Sequence, residues 1–177
     1  ATRTVEHLKA KTAAVAIDRV DVANGRLQAD LSIQNLSGHK FPTAYPSRRA
    51  WLHVTVKDRN GRMVFESGAL NPNGSITGND NDADATKFEP HYNEITSPDQ
   101  VQIYEDIMVG PDSKPTTGLL TALRFIKDNR LLPLGFEGEA TRFNLAKVAA
   151  AVDYAALQAS AEGRYLRYAG QGGWSVI

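Results

Sequence analysis

A histidine in a proline-bounded turn offers the clearest chemistry in this sequence. It lies in Asn35-Leu36-Ser37-Gly38-His39-Lys40-Phe41-Pro42-Thr43-Ala44-Tyr45-Pro46-Ser47-Arg48-Arg49. Gly38 permits a sharp backbone reversal, and Pro42 and Pro46 each restrict φ. The loop is therefore stiff and presents His39 in one direction. A pre-positioned imidazole loses little entropy on coordinating, which suits a metal or a haem iron. The same ring equally suits a hydrogen bond to a backbone carbonyl that holds the turn. Arg48 and Arg49 carry planar guanidinium forks that clamp an anion such as a haem propionate, or pair with an acid across the loop.

An acidic loop supplies the second constellation. Asp80, Asp82 and Asp84 stand at i, i+2 and i+4, with Asn79 and Asn81 beside them. Calcium takes six to eight oxygen ligands, and a curled loop with this spacing can converge on one ion. An EF-hand does not fit, because the sixth position from Asp80 is Ala85 and the twelfth is His91. Two readings remain: a different calcium site, completed by Glu89 or Glu94, and a solvated loop closed by Asx turns. His53 alternates with Trp51 and Thr55 and reads as a sheet position, while His7 lies in a polar amino-terminal segment. Trp51 and Trp174 read as packing residues. Glu89, Glu94 and Glu105 contain a carboxylate pair of the kind glycoside hydrolysis uses, but spacing alone sets no geometry. No G-x-S-x-G, no H-E-x-x-H and no phosphate-binding glycine loop occurs. The chain reads as a non-enzyme.

These residues need elements to position them, and the pattern points to strands. Apolar residues alternate from Val15 to Ile17, from Val20 to Val22 and, beyond Asn24-Gly25, from Leu27 to Ile33, the strongest short-range signal for a hairpin. Trp51 to Asp58, Asn60-Gly61 and Met63 to Ser67 repeat it, with Leu52, Val54 and Val56 on one face. Gly68 to about Asp99 is too long for a plain connection, and its Phe88, His91, Tyr92 and Ile95 argue for an ordered excursion. Strands are expected over Val101–Val109 and Leu119–Lys127. Leu145, Val148, Val152 and Ala155 or Ala156 share a helical stripe, which predicts a short helix over Leu145–Ala159. A last strand is expected over Arg164–Tyr168. Many short strands at hairpin spacing and little helix suggest a mainly β fold, an antiparallel immunoglobulin-like β-sandwich.

Composition narrows the classes of function. Twenty basic residues balance twenty acidic ones, so the basic excess of a nucleic-acid binder is missing. No apolar run is longer than that of Val148 to Val152, far below the ~18 residues of a membrane span. With no cysteine there can be no disulfide, thiolate metal site, cysteine nucleophile or covalent haem attachment through C-x-x-C-H. The start at Ala1, without Met or a signal segment, reads as a mature product or a piece of something longer. The 177 residues suit one β-sandwich domain spanning 1–177.

Taken together, the segments GHKFPTAYPSRRAWLHVTV, FESGALNPNGS, GNDNDAD, FEPHY and KDNRLLPLGF resemble the non-haem carboxyl-terminal portion of certain bacterial multihaem c-type cytochromes. The resemblance runs from about Asn35 to Phe136. It implies a β-sandwich that follows a haem-bearing segment, with His39 as a candidate axial ligand and His91 as a second. It also implies a periplasmic or cell-surface location and an electron-transfer setting. Because no C-x-x-C-H is present, the haem would belong to another segment or a partner subunit. The expected role is a non-catalytic domain that packs on the haem-bearing part. The alternative is a calcium-stabilised extracytoplasmic module that binds a protein or glycan.

Overall fold

A computed structural model describes residues 2–43 and 45–133. The chain is mainly β, with antiparallel strands in four small sheets and little helix. It opens with α1 (Thr2–Lys11), which buries none of its residues. No acid stands in its first turn. Lys9 and Lys11 in the last turn do complement the helix dipole.

Strands β1 (Ala13–Ala23) and β2 (Arg26–Asn35) form the first expected hairpin. Asn24 and Gly25 have φ of 52° and 72°, the two positive values a type I′ turn requires. The alternation of β1 slips by one residue between Ile17 and Val20, and the ladder has a bulge at that place. Asp18 is the extra residue, so Val15, Ile17, Val20 and Val22 pair with Ile33, Leu31, Ala29 and Leu27. Directly opposed residues share a face, and all eight apolar side chains therefore lie together.

The expected strand over Trp51–Asp58 is two strands that serve different sheets. Strand β3 (Ala50–Trp51) pairs with β6 (Ile103–Tyr104), whereas β4 (Val54–Lys57) pairs with β5 (Met63–Ser67). The second Asn-Gly turn also differs from the first. Only Gly61 has positive φ, at 81°, and Asp58 caps the turn by accepting from the backbone N–H of Asn60 and Arg62. The tight two-residue turn is replaced by a longer loop with one left-handed glycine.

Strands β7 (Asp106–Val109), β8 (Pro115–Thr116) and β9 (Arg124–Asp128) make the three-stranded sheet, in the order β8-β7-β9. The strand expected over Leu119–Lys127 begins only at Arg124. Thr121 and Ala122 both donate to the Gly118 carbonyl, and Leu120 is fully exposed in that turn. Residues 68–99 form an ordered excursion held by a Leu70–Ile76 bridge and a helical turn, α2 (Asp80–Ala83), with Ile76, Asn79 and Glu89 buried. Two apolar clusters sit between the small sheets. One joins Ile33, Tyr104 and Leu131 to Phe41, Ala50 and Leu52; the other joins Ile76, Val101 and Ile103 to Trp51. The helix expected over 145–159, the strand over 164–168 and Trp174 lie outside the described residues.

Gly68 shows how tightly β3 and β4 are joined to the excursion. Its φ is +75°, and a Cβ there would lie 2.3 Å from the Leu52 carbonyl oxygen. Gly74 has φ of +86° but open space around it. Gly74→Ala should therefore cost only the left-handed backbone penalty, about 1 kcal/mol. Gly68→Ala adds a backbone clash and should cost at least about 2 kcal/mol more in urea denaturation. Equal losses for the two variants would contradict this packing.

Candidate functional site

Buried side-chain amides and charges on both sides fix the His39 turn. Asn35, at the end of β2, is 1% exposed. Its Nδ2 donates to the His39 carbonyl at 2.6 Å and to the Leu131 carbonyl at 3.1 Å. Its Oδ1 accepts from Ser37 N and Ser37 Oγ at 2.9 and 2.6 Å. On the far side, Phe41 and Leu131 exchange backbone hydrogen bonds at 2.9 and 2.8 Å. Between these anchors the His39 ring is exposed. Its Nδ1 lies 3.3 Å from the Lys40 carbonyl and 3.4 Å from Ser37 Oγ. Nε2 has no hydrogen-bond partner among the described residues.

The next residue, Lys40, enters a buried cluster of four charges. Its Nζ lies 2.6 Å from Oδ2 of Asp128, whose side chain is completely buried. Arg130 grips the same carboxylate in two places, with Nε and NH2 each 2.9 Å from an oxygen. It also reaches Asp106 at 3.3 Å. Two cations and two carboxylates leave no net charge. Burial alone would raise the pKa of Asp128, but Lys40 and Arg130 outweigh it and hold the carboxyl below its ordinary range. Asp106 moves the other way. Burial raises it, the nearby Asp128 charge adds to the rise, and Arg130 offsets only part. Burial likewise lowers Lys40 despite the attraction of Asp128.

A second polar layer lies alongside. Lys127 and Glu105 pair at 2.7 Å, both nearly buried, and Lys127 also donates to the Ile103 carbonyl. Asn129 donates to the Ile103 carbonyl and accepts from Glu105 N, at 2.7 and 2.9 Å. His91 belongs to this layer. Its Nδ1 receives Gln102 Nε2 at 2.6 Å and Asn129 Nδ2 at 3.2 Å, which keeps the ring proton on Nε2. Its ring meets Tyr104 edge-on at 6.3 Å. His39 and His91 thus occupy different settings, one exposed and one inside a network.

Asp80, Asp82 and Asp84 turn to separate places. Asp82 accepts from Arg49 NH1 at 2.6 Å and from Ile76 N at 2.7 Å. Burial works against its charge, but those donors outweigh it and lower its pKa. Asp84 accepts from Thr86 N and Oγ1, while Asp80 stands at the start of α2 behind the Asn79 cap. Among the described residues no group of three or more His, Asp or Glu side chains is placed to hold a metal ion. Arg49 therefore pairs across the loop. Arg48 donates to the Thr43 carbonyl at 3.2 Å and lies over the Tyr45 ring at 5.9 Å.

The three glutamates have unrelated partners. Glu89 accepts from Asp80 N and from the Tyr92 hydroxyl, at 3.1 and 2.6 Å. Burial, reinforced by that contact with Glu89, pushes the Tyr92 phenol far above its ordinary value. Glu105 is taken by Lys127, and Glu94 is exposed. His53 Nε2 lies 2.8 Å from Glu66 Oε1 at the rim of a shallow cleft of about 340 Å³ that includes Trp51 and Leu70.

Sequence reasoning passed over Lys40, Asp106, Asp128, Arg130, Gln102 and Asn129. The available signal was charge inside strand patterns, in the runs Glu105-Asp106 and Lys127-Asp128-Asn129-Arg130. In comparisons with known proteins, no family model, no curated protein and no solved structure matches this chain.

Asp128→Asn should lower stability at pH 7 by about 3 kcal/mol, because the partly buried Lys40 and Arg130 lose their shared, fully buried counter-charge. In the native chain the Asp128 contribution is present above the unfolded carboxyl value of about 4 and is lost as pH falls through the lower folded value. Urea denaturation from pH 7 down to about pH 3 checks both points. The variant should be less stable throughout the upper range and should lose the part of the acid dependence that Asp128 supplies. A native-like midpoint for the variant at pH 7 would refute the assignment.

Proposed function

We propose that this chain is a non-catalytic domain of a multihaem c-type cytochrome assembly, with its small antiparallel sheets arranged as an immunoglobulin-like sandwich. Its role is to pack on a haem-bearing segment or subunit and to supply His39 as an axial ligand, outside the cytoplasm. The observation that carries this reading is the state of the His39 ring. Ligating histidines almost always direct their second nitrogen to a backbone carbonyl, carboxylate or water, which fixes tautomer and orientation. Here Nδ1 faces the Lys40 carbonyl, and Nε2 is the open nitrogen on an exposed ring. Asn35, Ser37 and the Phe41–Leu131 bridge hold the turn, so little order would be lost on binding. Arg48, exposed in the same loop, suits a haem propionate. A bound haem would supply one-electron chemistry, with its potential set in part by axial ligand and solvent exclusion.

The test is a visible-spectrum titration with a ferric haem peptide that carries C-x-x-C-H and provides its own histidine as fifth ligand. Native chain should convert the peptide to a low-spin spectrum, and His39→Ala should abolish the conversion. His7→Ala and His53→Ala should leave it intact. A His39→Ala titration that matches the native one removes the ligand role.

A further inference from the structure

Three leucines project from one end of the β8-β7-β9 sheet. The chain crosses from β8 to β9 past the end of β7, where Leu123 N donates to the Val109 carbonyl at 2.8 Å. On that crossing Leu119, Leu120 and Leu123 are 53%, 103% and 68% exposed. Turns are ordinarily built from glycine, proline and small polar residues, and nothing in the turn geometry calls for leucine. Exposed apolar side chains of the β1–β2 hairpin line the face of a ladder, whereas these leucines stand on a protruding tip.

The tip is closed on itself. The Gly118 carbonyl accepts from Thr121 N and Ala122 N, at 3.1 and 3.0 Å, and from Thr121 Oγ1 at 3.0 Å. Gly118 N donates to Thr116 Oγ1, also at 3.0 Å. The N–H groups of Gly118, Thr121, Ala122 and Leu123 are thus satisfied within the protein. A polar group taken into an apolar medium without a partner is heavily penalised, so this closure suits a tip that leaves water. Charge at the same end is complementary to anionic headgroups. The Lys114 carbonyl accepts from Gly110 N, and Arg124 stands opposite Val109, so both cations flank the tip. Both are exposed, and neither pairs with an acid among the described residues. Asp112 is the one acid between residues 110 and 127, and its Oδ1 accepts from Lys114 N at 3.2 Å. A protein partner fits less well. A specific interface takes roughly 800 Å² from each side, which a single protruding turn does not offer. Reversible attachment to a membrane needs only a few inserted apolar side chains and attraction to anionic lipid.

We propose that the Leu119–Leu123 turn is a membrane-contact site, its leucines entering the boundary of an anionic bilayer while Lys114 and Arg124 meet the lipid phosphates. Co-sedimentation of the full-length chain with vesicles of equal parts phosphatidylglycerol and phosphatidylcholine tests this. The native chain should bind them, and should bind less to phosphatidylcholine alone. Leu119→Ser combined with Leu120→Ser should weaken binding at least about tenfold and leave the urea midpoint unchanged, because both side chains are exposed. Val20→Ser combined with Val22→Ser, on the hairpin strip, should bind as the native chain does. As a second readout, an environment-sensitive dye on a Leu120→Cys variant should brighten on vesicle addition, and the same dye on an Asn60→Cys variant should not; the chain has no cysteine of its own. Absence of native binding, equal binding by the Leu119/Leu120 variant, or an unresponsive dye at position 120 would overturn the proposal. Self-association without vesicles that the same serine substitutions abolish would overturn it in favour of a second copy.

Discussion

Asp128 is a carboxylate with no exposed surface, and it stays charged because Lys40 and Arg130 bind it directly. Isolating such an ion in a protein interior costs several kcal/mol, so the four groups Lys40, Asp106, Asp128 and Arg130 are stable only together. That mutual dependence joins the loop before β3 to the end of β9, 88 residues apart in sequence. It also determines where the His39 turn can sit, since His39 and Lys40 are neighbours. Position at the exposed imidazole is inherited from electrostatics behind it.

The same economy recurs throughout the body. Beyond the β1–β2 hairpin the strands are two to five residues long, too short for ladders to satisfy most of the backbone. Side-chain amides take over that task. Asn35 bridges two carbonyls, Asn129 serves Ile103 and Glu105, and Gln102 meets both Tyr92 and His91. Each is buried, and a buried polar group is tolerable only when its partners are present. The apolar clusters are small by comparison, with three buried residues apiece. Order around the site therefore rests on satisfied polar contacts at least as much as on hydrophobic area.

This explains what could and could not be read from the sequence. The first hairpin was legible because alternation and Asn-Gly are local signals, and the break in alternation between Ile17 and Val20 coincides with the bulge. The stiffness of the His39 loop was legible from its glycine and prolines. The division of 51–58 between two sheets was not, because it depends on which distant strand each half meets. The second Asn-Gly turn was misread because Asp58 captures the backbone first. The three aspartates share a spacing, but Arg49 and Ile76 draw Asp82 away from the others. The charge cluster was invisible for a related reason. Its members come from three separate segments, and nothing in 40, 106 or 128 taken alone indicates burial.

Asp18 deserves a closing consideration, as the one unpaired residue in the longest ladder. A bulge bends its strand and increases the local right-handed twist. The exposed apolar strip is therefore interrupted near its middle by an irregularity of the ladder. Flat, regular edges are the ones that recruit other chains into growing fibrils. A coiled edge presents its N–H and C=O groups along changing directions, which a straight strand cannot follow for long. The residue that keeps eight side chains on one side also interrupts the regular edge along which another strand would have to pair.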